Sequence, residues 1–254
     1  MELKVIITGV TGMVGEGVLL ECLENPAVQQ VLTVSRKSSG WQHPKLKECI
    51  VPDFLQLDVD AIPAAAIPSA ANPADPATAN ASANPADPAP SSLRAQLSGY
   101  DACFFCAGIS SIGMNEADYT RITYDTTLHF AQQLVRLNRD MVFDYVSGSH
   151  TDSTEKGKVM WARVKGRTEN ALTKLSFKGV YNFRPGLMRP MPGQKNIKPL
   201  LKVLGTILYP VFRLLMPGQV MTLSEVGQAM INSVTKGYPK QILEIKDIKA
   251  LAKL

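Results

Sequence analysis

Three features of the sequence predict an α/β fold, a doubly wound parallel sheet of the Rossmann type. A glycine-rich turn joins a short apolar run to a helical pattern at the start of the chain. Short apolar runs then alternate with helical stretches as far as residue 187. The 254 residues are 45% hydrophobic and 19% charged, which is typical of a soluble globular protein and argues against a disordered or fibrous one.

The order of the elements follows from the hydrophobic spacing. Val14, Val18 and Cys22 recur at helical intervals after the first strand, and Asn25-Pro26 ends that helix. The predicted strands cover residues 3–7, 31–34, 50–51, 100–107, 141–146 and 180–183, and the later helices cover 116–138 and 159–175. Strands that alternate with helices form a parallel sheet covered on both faces. We therefore expect residues 1–187 to form the Rossmann domain and 188–254 a small C-terminal helical region on the substrate side.

Residues 61–92 do not follow that pattern. They are almost entirely Ala, Pro, Asn, Asp and Ser, and the motif Asn-Pro-Ala-Asp-Pro-Ala occurs at 72–77 and again at 84–89. The prolines forbid a continuous helix, and there is hardly any large apolar residue to bury. The sequence predicts a disordered or polyproline-like surface insertion between the third and fourth strands, with a partner-binding role as the alternative.

Residues 197–216 are rich in Leu, Ile, Val and Phe, but they contain Lys198, Lys202 and Arg213, and prolines interrupt them. A membrane-spanning helix needs roughly 20 mostly apolar residues. We therefore expect helices that pack on the sheet or line a substrate pocket. The alternative is an amphipathic segment in peripheral contact with a membrane surface.

The charge and the cysteines restrict the partners and the compartment. The net charge is +5, but Lys and Arg are scattered, so no nucleic-acid partner is expected. Cys103 and Cys106 lie in a predicted strand, where a spacing of three directs side chains to opposite faces. They are interpreted as buried thiols in a reducing compartment, and without a signal peptide pattern we expect a cytoplasmic protein. His43 and His129 lack ligand spacing, so no metal site is predicted.

The turn over residues 8–15, Thr-Gly-Val-Thr-Gly-Met-Val-Gly, indicates dinucleotide binding. Its glycines permit a tight turn and close approach of a pyrophosphate, and the helix that follows offers free N–H groups and a positive dipole end. The spacing is Gly-x-x-Gly-x-x-Gly, which differs from the Gly-x-Gly-x-x-Gly fingerprint. We expect the dinucleotide to contact Gly9, Thr11, Gly12, Met13, Val14 and Gly15.

The end of the second strand bears on the choice between NAD and NADP. An acidic residue there would hold the ribose hydroxyls of NAD, but this chain has Ser35-Arg36-Lys37. Arg36 can pair with a 2′-phosphate through two hydrogen bonds, and Lys37 adds positive charge. The sequence therefore favours NADP over NAD. Asp53, after the third strand, is a candidate acceptor for the adenine amino group.

The glycine turn, the segment Cys106-Ala107-Gly108-Ile109 and a helix that carries Lys165 together resemble the short-chain dehydrogenase/reductase superfamily. The stretches 160–166, Met-Trp-Ala-Arg-Val-Lys-Gly, and 183–186, Phe-Arg-Pro-Gly, are similar to its extended or atypical, NAD(P)-dependent epimerase-like branch, in particular the subgroup of the Tat-interacting oxidoreductase homologue. The resemblance covers roughly residues 3–60 and 93–236.

The resemblance implies a catalytic Tyr and Lys four residues apart on one helix, together with a Ser or Thr after the fifth strand. Lys165 takes the lysine position, where it binds the nicotinamide ribose, but Trp161 stands where the Tyr should be. An indole N–H only donates hydrogen bonds and cannot act as general acid or base. Ser147 or Ser149 would hold the substrate oxygen.

The resemblance also leaves the proton donor open and implies further cofactor contacts. His150, Tyr124 or water would replace the missing Tyr as proton donor. Cys106, Ala107, Gly108 and the backbone at Pro185 would contact the cofactor.

Two functions fit these residues. The first is an NADP(H)-dependent oxidoreductase or epimerase that acts on a small carbonyl or alcohol. The alternative is a regulatory or scaffold protein that binds NAD(P)H without turnover, since the usual Tyr is missing. A homodimer is implied by the resemblance alone.

Overall fold

A computed structural model describes residues 2–61, 92–197, 209, 212, 214–216 and 218–254. The insertion predicted at 61–92 lies outside the described residues except for its two ends. The same holds for most of the segment 197–216, for which the sequence leaves pocket and membrane contact as alternatives. Among the described residues, no helix has the length and apolar character needed to cross a bilayer.

The core is a seven-stranded parallel sheet in the order β3-β2-β1-β4-β5-β6-β9. Its strands are β1 (Leu3–Thr8), β2 (Val28–Ser35), β3 (Leu46–Ile50), β4 (Ala102–Phe105), β5 (Val142–Val146), β6 (Gly179–Arg184) and β9 (Ile242–Glu244). A separate parallel pair joins β7 (Leu187–Arg189) to β8 (Val220–Thr222). The strand order reverses beside β1, because β2 lies on one side of it and β4 on the other. The predicted Rossmann-type fold is thereby confirmed.

Helices cover both faces of this sheet. They are α1 (Met13–Glu24), α2 (Leu93–Leu97), α3 (Glu116–Thr120), α4 (Thr126–Leu137), α5 (Met160–Leu172), α6 (Leu223–Thr235) and α7 (Ile245–Ala252). Successive side chains of a strand point to opposite faces, so β1 serves two cores. Val5 and Ile7 pack in one cluster with α1 and α6, and Ile6 packs in the other with α4.

Two elements differ from the sequence-based expectation. The third strand is Leu46–Ile50 and begins earlier than the predicted 50–51. The prediction missed its first residues because it is an edge strand, and its exposed Lys47 and Glu48 interrupt the apolar run. The predicted helix 116–138 is interrupted. A π-helical turn, Arg121–Asp125, separates α3 from α4. Such turns are rare and frequently occur at functional sites.

The C-terminal part of the chain contributes to the main sheet. Strand β9 pairs with β6, and the face of α6 that carries Val226 and Met230 packs into the same cluster as β1. Ile248 and Leu251 of α7 are fully buried there. The division into residues 1–187 and 188–254 stays a prediction, but the second part is not confined to the substrate side.

Candidate functional site

The glycine turn between β1 and α1 packs directly on the end of β4. Gly9 has φ +73°, a conformation that favours glycine. A Cβ on Gly9 would lie 2.6 Å from the backbone N of Ala107 and from the backbone C and O of Cys106. A side chain at this position would therefore separate the turn from β4, which explains why the sequence has glycine here.

Gly15 and Gly12 differ in what surrounds them. A Cβ on Gly15 would lie 2.3 Å from the carbonyl oxygen of Gly9, so α1 approaches the turn too closely for any side chain. A Cβ on Gly12 would meet only that same oxygen, at 3.4 Å, which is ordinary contact. Gly12 is the N-cap of α1, and no side chain caps the helix. The first N–H groups of a helix have no partner within it, so this end can bind an anion.

A cleft of about 840 Å³ opens at the carboxyl edge of β1, β2 and β4. It brings together several residues that the sequence predicts as cofactor contacts. These are Gly9, Thr11, Gly12, Arg36, Cys106, Ala107 and Gly108, together with Asp53. Other predicted site residues do not line it. These are Met13, Val14, Gly15 and Lys37, and, from the second half of the sheet, Ser147, Trp161, Lys165 and Pro185.

Of the two cysteines of the predicted strand, Cys103 is buried, as predicted, whereas Cys106 is partly exposed. Cys103 packs in the cluster with α4, whereas Cys106 packs against the cluster on the other face and also lines the cleft. Burial raises the pKa of both thiols, and nearby charged groups raise it further. Neither is a reactive thiolate near neutral pH.

The far wall of the cleft was not predicted from the sequence. It comes from α3, the π-helical turn and the first residue of α4, which supply Asp118, Arg121, Ile122 and Thr126. A continuous helical pattern gives no sign of a π turn, because an extra residue in one turn leaves the composition unchanged. In the sequence, this wall is indicated only by the position of the helical pattern after the Cys106–Ile109 segment.

Lys165 lies on α5 and points to the end of β5. Its ammonium Nζ donates a hydrogen bond to the backbone carbonyl of Ser147. Burial lowers the pKa of Lys165 to about 8, and the negative charge of Glu169, one turn further along the helix, raises it in part. Lys165 is therefore a cation at neutral pH that loses its charge in mildly alkaline solution.

The Ser147 hydroxyl is buried and already bonded. Its Oγ donates to Glu169 Oε1 at 2.5 Å and to the Phe183 carbonyl at 3.1 Å, and the residue is 2% exposed. Ser149 is more accessible, and its hydroxyl has no partner among the described residues. The Ser149 N–H donates to the carbonyl of Pro185 at 2.9 Å, which joins the ends of β5 and β6. Of the two serines, Ser149 has the free hydroxyl.

Glu169 and Arg184 form a buried ion pair behind these serines. Arg184 donates to Glu169 through Nε at 3.0 Å and through Nη2 at 2.5 Å, and Glu169 is 1% exposed. Burial opposes the charge of Arg184, but its contacts with Glu169 and Glu244 outweigh burial and raise the pKa of the guanidinium. This pair was not predicted, because its two members lie on different elements.

The remaining candidates do not line the cleft. Trp161 occupies the first turn of α5, four residues before Lys165, and is partly exposed. His150 is exposed, with φ +66°. The Tyr124 ring faces the guanidinium of Arg167, whose Cζ lies 4.3 Å from the ring centroid.

A buried carboxylate joins residues 195 and 196 to helix α1. Glu16 of α1 is fully buried and accepts hydrogen bonds from Trp41 Nε1 and from the backbone N–H groups of Lys195 and Asn196. Gln194 Nε2 donates to the carbonyl of Met13 at 2.7 Å. The segment that begins the predicted C-terminal region is thus fixed against the start of α1.

The geometry can be compared with known proteins. No family model matches the sequence, and no curated protein matches it either. Solved structures do match. The enzyme WbmF from Bordetella bronchiseptica in complex with NAD⁺ is 16% identical, with a TM-score of 0.59, and the match covers 99% of this chain and 77% of that one.

Two further matches are a glucuronic acid dehydrogenase and an epimerase. The dehydrogenase, from Chromohalobacter salexigens, is 12% identical, with a TM-score of 0.58 and coverage of 96% of this chain and 76% of that one. The UDP-N-acetylglucosamine 4-epimerase from Bacillus cereus is 13% identical, with a TM-score of 0.57 and coverage of 95% and 75%.

These likenesses show that the chain shares the overall fold of this NAD⁺-bound enzyme, this dehydrogenase and this epimerase. The parallel sheet, the glycine turn at the switch in strand order and the cleft above it agree with that fold. In open α/β sheets, ligands bind outside the carboxyl ends of the strands at such a switch point. The cleft lies there, which makes it the candidate cofactor site.

Gly12 and Gly15 allow a matched test of the turn. Gly15→Ala should destabilise the protein by about 1–3 kcal/mol or more, because its methyl group meets backbone. Gly12→Ala should cost within about 1 kcal/mol. It should nevertheless weaken NADPH binding by about tenfold, because the methyl group occupies the approach to the helix end. Thermal melting and nucleotide titration measure the two effects. Full NADPH affinity in Gly12→Ala would contradict a phosphate at this helix end.

The amine of Lys165 should titrate near pH 8, compared with about 10.4 for lysine in model peptides. Competitive acetylation across the alkaline range, with the modified peptides quantified by mass spectrometry, measures this directly. The fraction of Lys165 that reacts should rise as pH increases through about 8, because only the free amine is nucleophilic. If Lys165 instead became reactive over the same alkaline range as lysine in a model peptide, its amine would not be desolvated.

Proposed function

We propose that this protein is an NADP(H)-binding oxidoreductase of the short-chain dehydrogenase/epimerase type, acting on a small carbonyl or alcohol. One observation carries the proposal. A single cleft at the switch point of the sheet joins the glycine turn, the uncapped start of α1 and the Arg36 guanidinium, which has no partner in the part of the chain that the structure describes. WbmF, which has the same fold, has been solved with NAD⁺ and with NADH.

The residues of the cleft fit a dinucleotide. A Cβ on Gly12 would be in ordinary contact with the Gly9 oxygen alone, at a helix end that no side chain caps. The N–H groups of Met13 and Val14 would be available to a phosphate there. Arg36 lines the cleft with its guanidinium unpaired among the described residues, which suits the 2′-phosphate of NADP. One carboxylate oxygen of Asp53 accepts a hydrogen bond from the Leu55 N–H, and the second oxygen is left for the adenine amino group.

The bound nicotinamide would supply a hydride acceptor or donor. Lys165 would bind the nicotinamide ribose, since its ammonium already lies at the end of β5 and is charged below about pH 8. The Pro185 backbone would orient the nicotinamide amide. Ser149 would hold the substrate oxygen, because the Ser147 hydroxyl is occupied by Glu169. Ser147 would then fix the loop rather than contact the substrate.

Proton transfer has to differ from that of the related enzymes. Trp161 occupies the Tyr position and can only donate a hydrogen bond. His150 follows Ser149 directly and is exposed, so either its imidazole or a water beside it would supply the proton. Tyr124 is less suited, because Arg167 lies over its ring.

The second candidate is a protein that binds NAD(P)H without turnover, for regulation or as a scaffold. Two considerations favour it. Trp161 stands where the resemblance to the short-chain dehydrogenases implies a Tyr, and the Ser147 hydroxyl is turned away into the buried ion pair. Cofactor binding is common to both candidates, so binding is tested first.

Titration with NADPH and with NADH, followed by tryptophan fluorescence, tests the shared part of the proposal. Saturable quenching that prefers NADPH by at least about tenfold is expected, because one bidentate phosphate contact accounts for that ratio. Trp161→Tyr should lose most of the quenching and keep the affinity, since Trp41 lies at Glu16. No quenching and no calorimetric signal with either nucleotide would contradict the proposal.

Turnover separates the two candidates. A panel of small aldehydes, ketones and alcohols is assayed with wild type, Lys165→Ala and Trp161→Tyr. An enzyme should lose its turnover in Lys165→Ala, whereas turnover that is retained in full would refute the assigned role of Lys165. NADPH binding without turnover by wild type, but with turnover by Trp161→Tyr, would establish the non-catalytic candidate.

A further inference from the structure

Most arginines in the described part of the chain have a partner. Arg94 and Arg136 pair with Asp60, Arg163 with Glu116 and Arg184 with Glu169. Arg167 and Arg189 lie over tyrosine rings. The arginines whose guanidinium groups have no hydrogen bond, ion pair or ring contact among the described residues are Arg36, Arg121 and Arg139.

Two of these three unpaired arginines line the same cleft. Arg36 reaches it from the end of β2, and Arg121 reaches it from the opposite wall. Arg139 is exposed after the end of α4 and does not line the cleft. An exposed guanidinium is well hydrated, so its lack of a partner alone means little. The convergence of two such groups on one cavity, which also contains a free helix end, indicates an anionic ligand.

The carboxylates of the cleft do not form ion pairs with these two arginines among the described residues. Asp53 accepts from Leu55 N, and Asp118 accepts from Asn115 Nδ2 at 2.7 Å. Asp53 caps its own short helical segment, and Asp118 is held by the side chain of Asn115, the N-cap of α3. Neither carboxylate pairs with Arg36 or Arg121 among the described residues. The two guanidinium groups therefore remain available for a ligand.

The position of Arg121 distinguishes its role from that of Arg36. Arg121 opens the π-helical turn, and the Arg167–Tyr124 contact joins this turn to α5, the helix that carries Lys165. In the proposed binding mode, Arg121 would therefore lie toward the nicotinamide half of the dinucleotide, since α5 carries Lys165, and Arg36 toward the adenosine half. The pyrophosphate of a dinucleotide joins those halves and passes the N-terminus of α1.

We propose that Arg121 is a second phosphate-binding residue, which contacts the cofactor pyrophosphate from the wall opposite the glycine turn. This rests on the proposed binding of a dinucleotide in the cleft and adds a contact to it. Arg36 then selects the 2′-phosphate, and Arg121 binds a group that NADH and NADPH share. The π-helical turn has a function in this arrangement, since it sets the start of α4 so that Arg121 faces the cleft.

Three matched variants test the proposal: Arg36→Met, Arg121→Met and Arg139→Met. Each removes an unpaired, exposed guanidinium, so thermal stability should be unchanged in all three. The dissociation constants of NADPH and NADH are measured for each by calorimetry. Arg121→Met should weaken both nucleotides by about 10- to 100-fold, the effect of one charged hydrogen-bonded contact. Arg36→Met should weaken NADPH only, and Arg139→Met should weaken neither.

The possible failures are distinguishable. If wild type binds neither nucleotide, the proposed function itself fails. If wild type binds both and Arg121→Met retains wild-type affinities, Arg121 does not contact the cofactor. If Arg121→Met weakens NADPH alone, Arg121 contacts the 2′-phosphate, and the pyrophosphate assignment is wrong. If Arg121→Met and Arg139→Met weakened nucleotide binding equally, the loss of net positive charge would explain the effect, and the proposal would also be refuted.

Discussion

The contact between Gly9 and the backbone of Cys106 and Ala107 fixes the geometry on which the site depends. With 2.6 Å between a hypothetical Cβ and those atoms, only glycine allows the β1–α1 turn to rest on the end of β4. Gly15 then allows α1 to rest on the turn. The free end of the helix is thereby brought to the switch point of the sheet. The turn and the N-terminal end of α1 therefore form one wall of the cleft that Arg36 also lines.

A second constraint organises the other half of the site. The buried Glu169–Arg184 pair occupies the Ser147 hydroxyl and lies one helical turn from Lys165. Removing one member of such a pair leaves an uncompensated buried charge, which is costly. The pair fixes α5 to the ends of β5 and β6. Lys165, on the same helix, is thereby held at the end of β5.

The parts of the fold that depend on local pattern could be predicted from the sequence. The buried strands, the glycine turn and the cluster at Arg36 and Lys37 are visible as runs and spacings, and the turn and Arg36 do meet in one cleft. The sequence predicts the edge strand β3 too late in the chain, because its exposed residues do not form an apolar run. The buried pair and the Arg121 wall could not be predicted, because they depend on which elements meet in space and on a π turn without a composition signal.

Hydrogen exchange with and without NADP⁺ tests the central claim most directly, since it needs neither a substrate nor a variant. If the dinucleotide binds at the switch point, the backbone amides of residues 9–15, 34–37 and 106–109 should exchange more slowly when NADP⁺ is present, because ligand contacts suppress local opening. The exposed end of α4 around Arg139 should be unaffected. Unchanged exchange throughout residues 9–15 at saturating NADP⁺ would contradict the account.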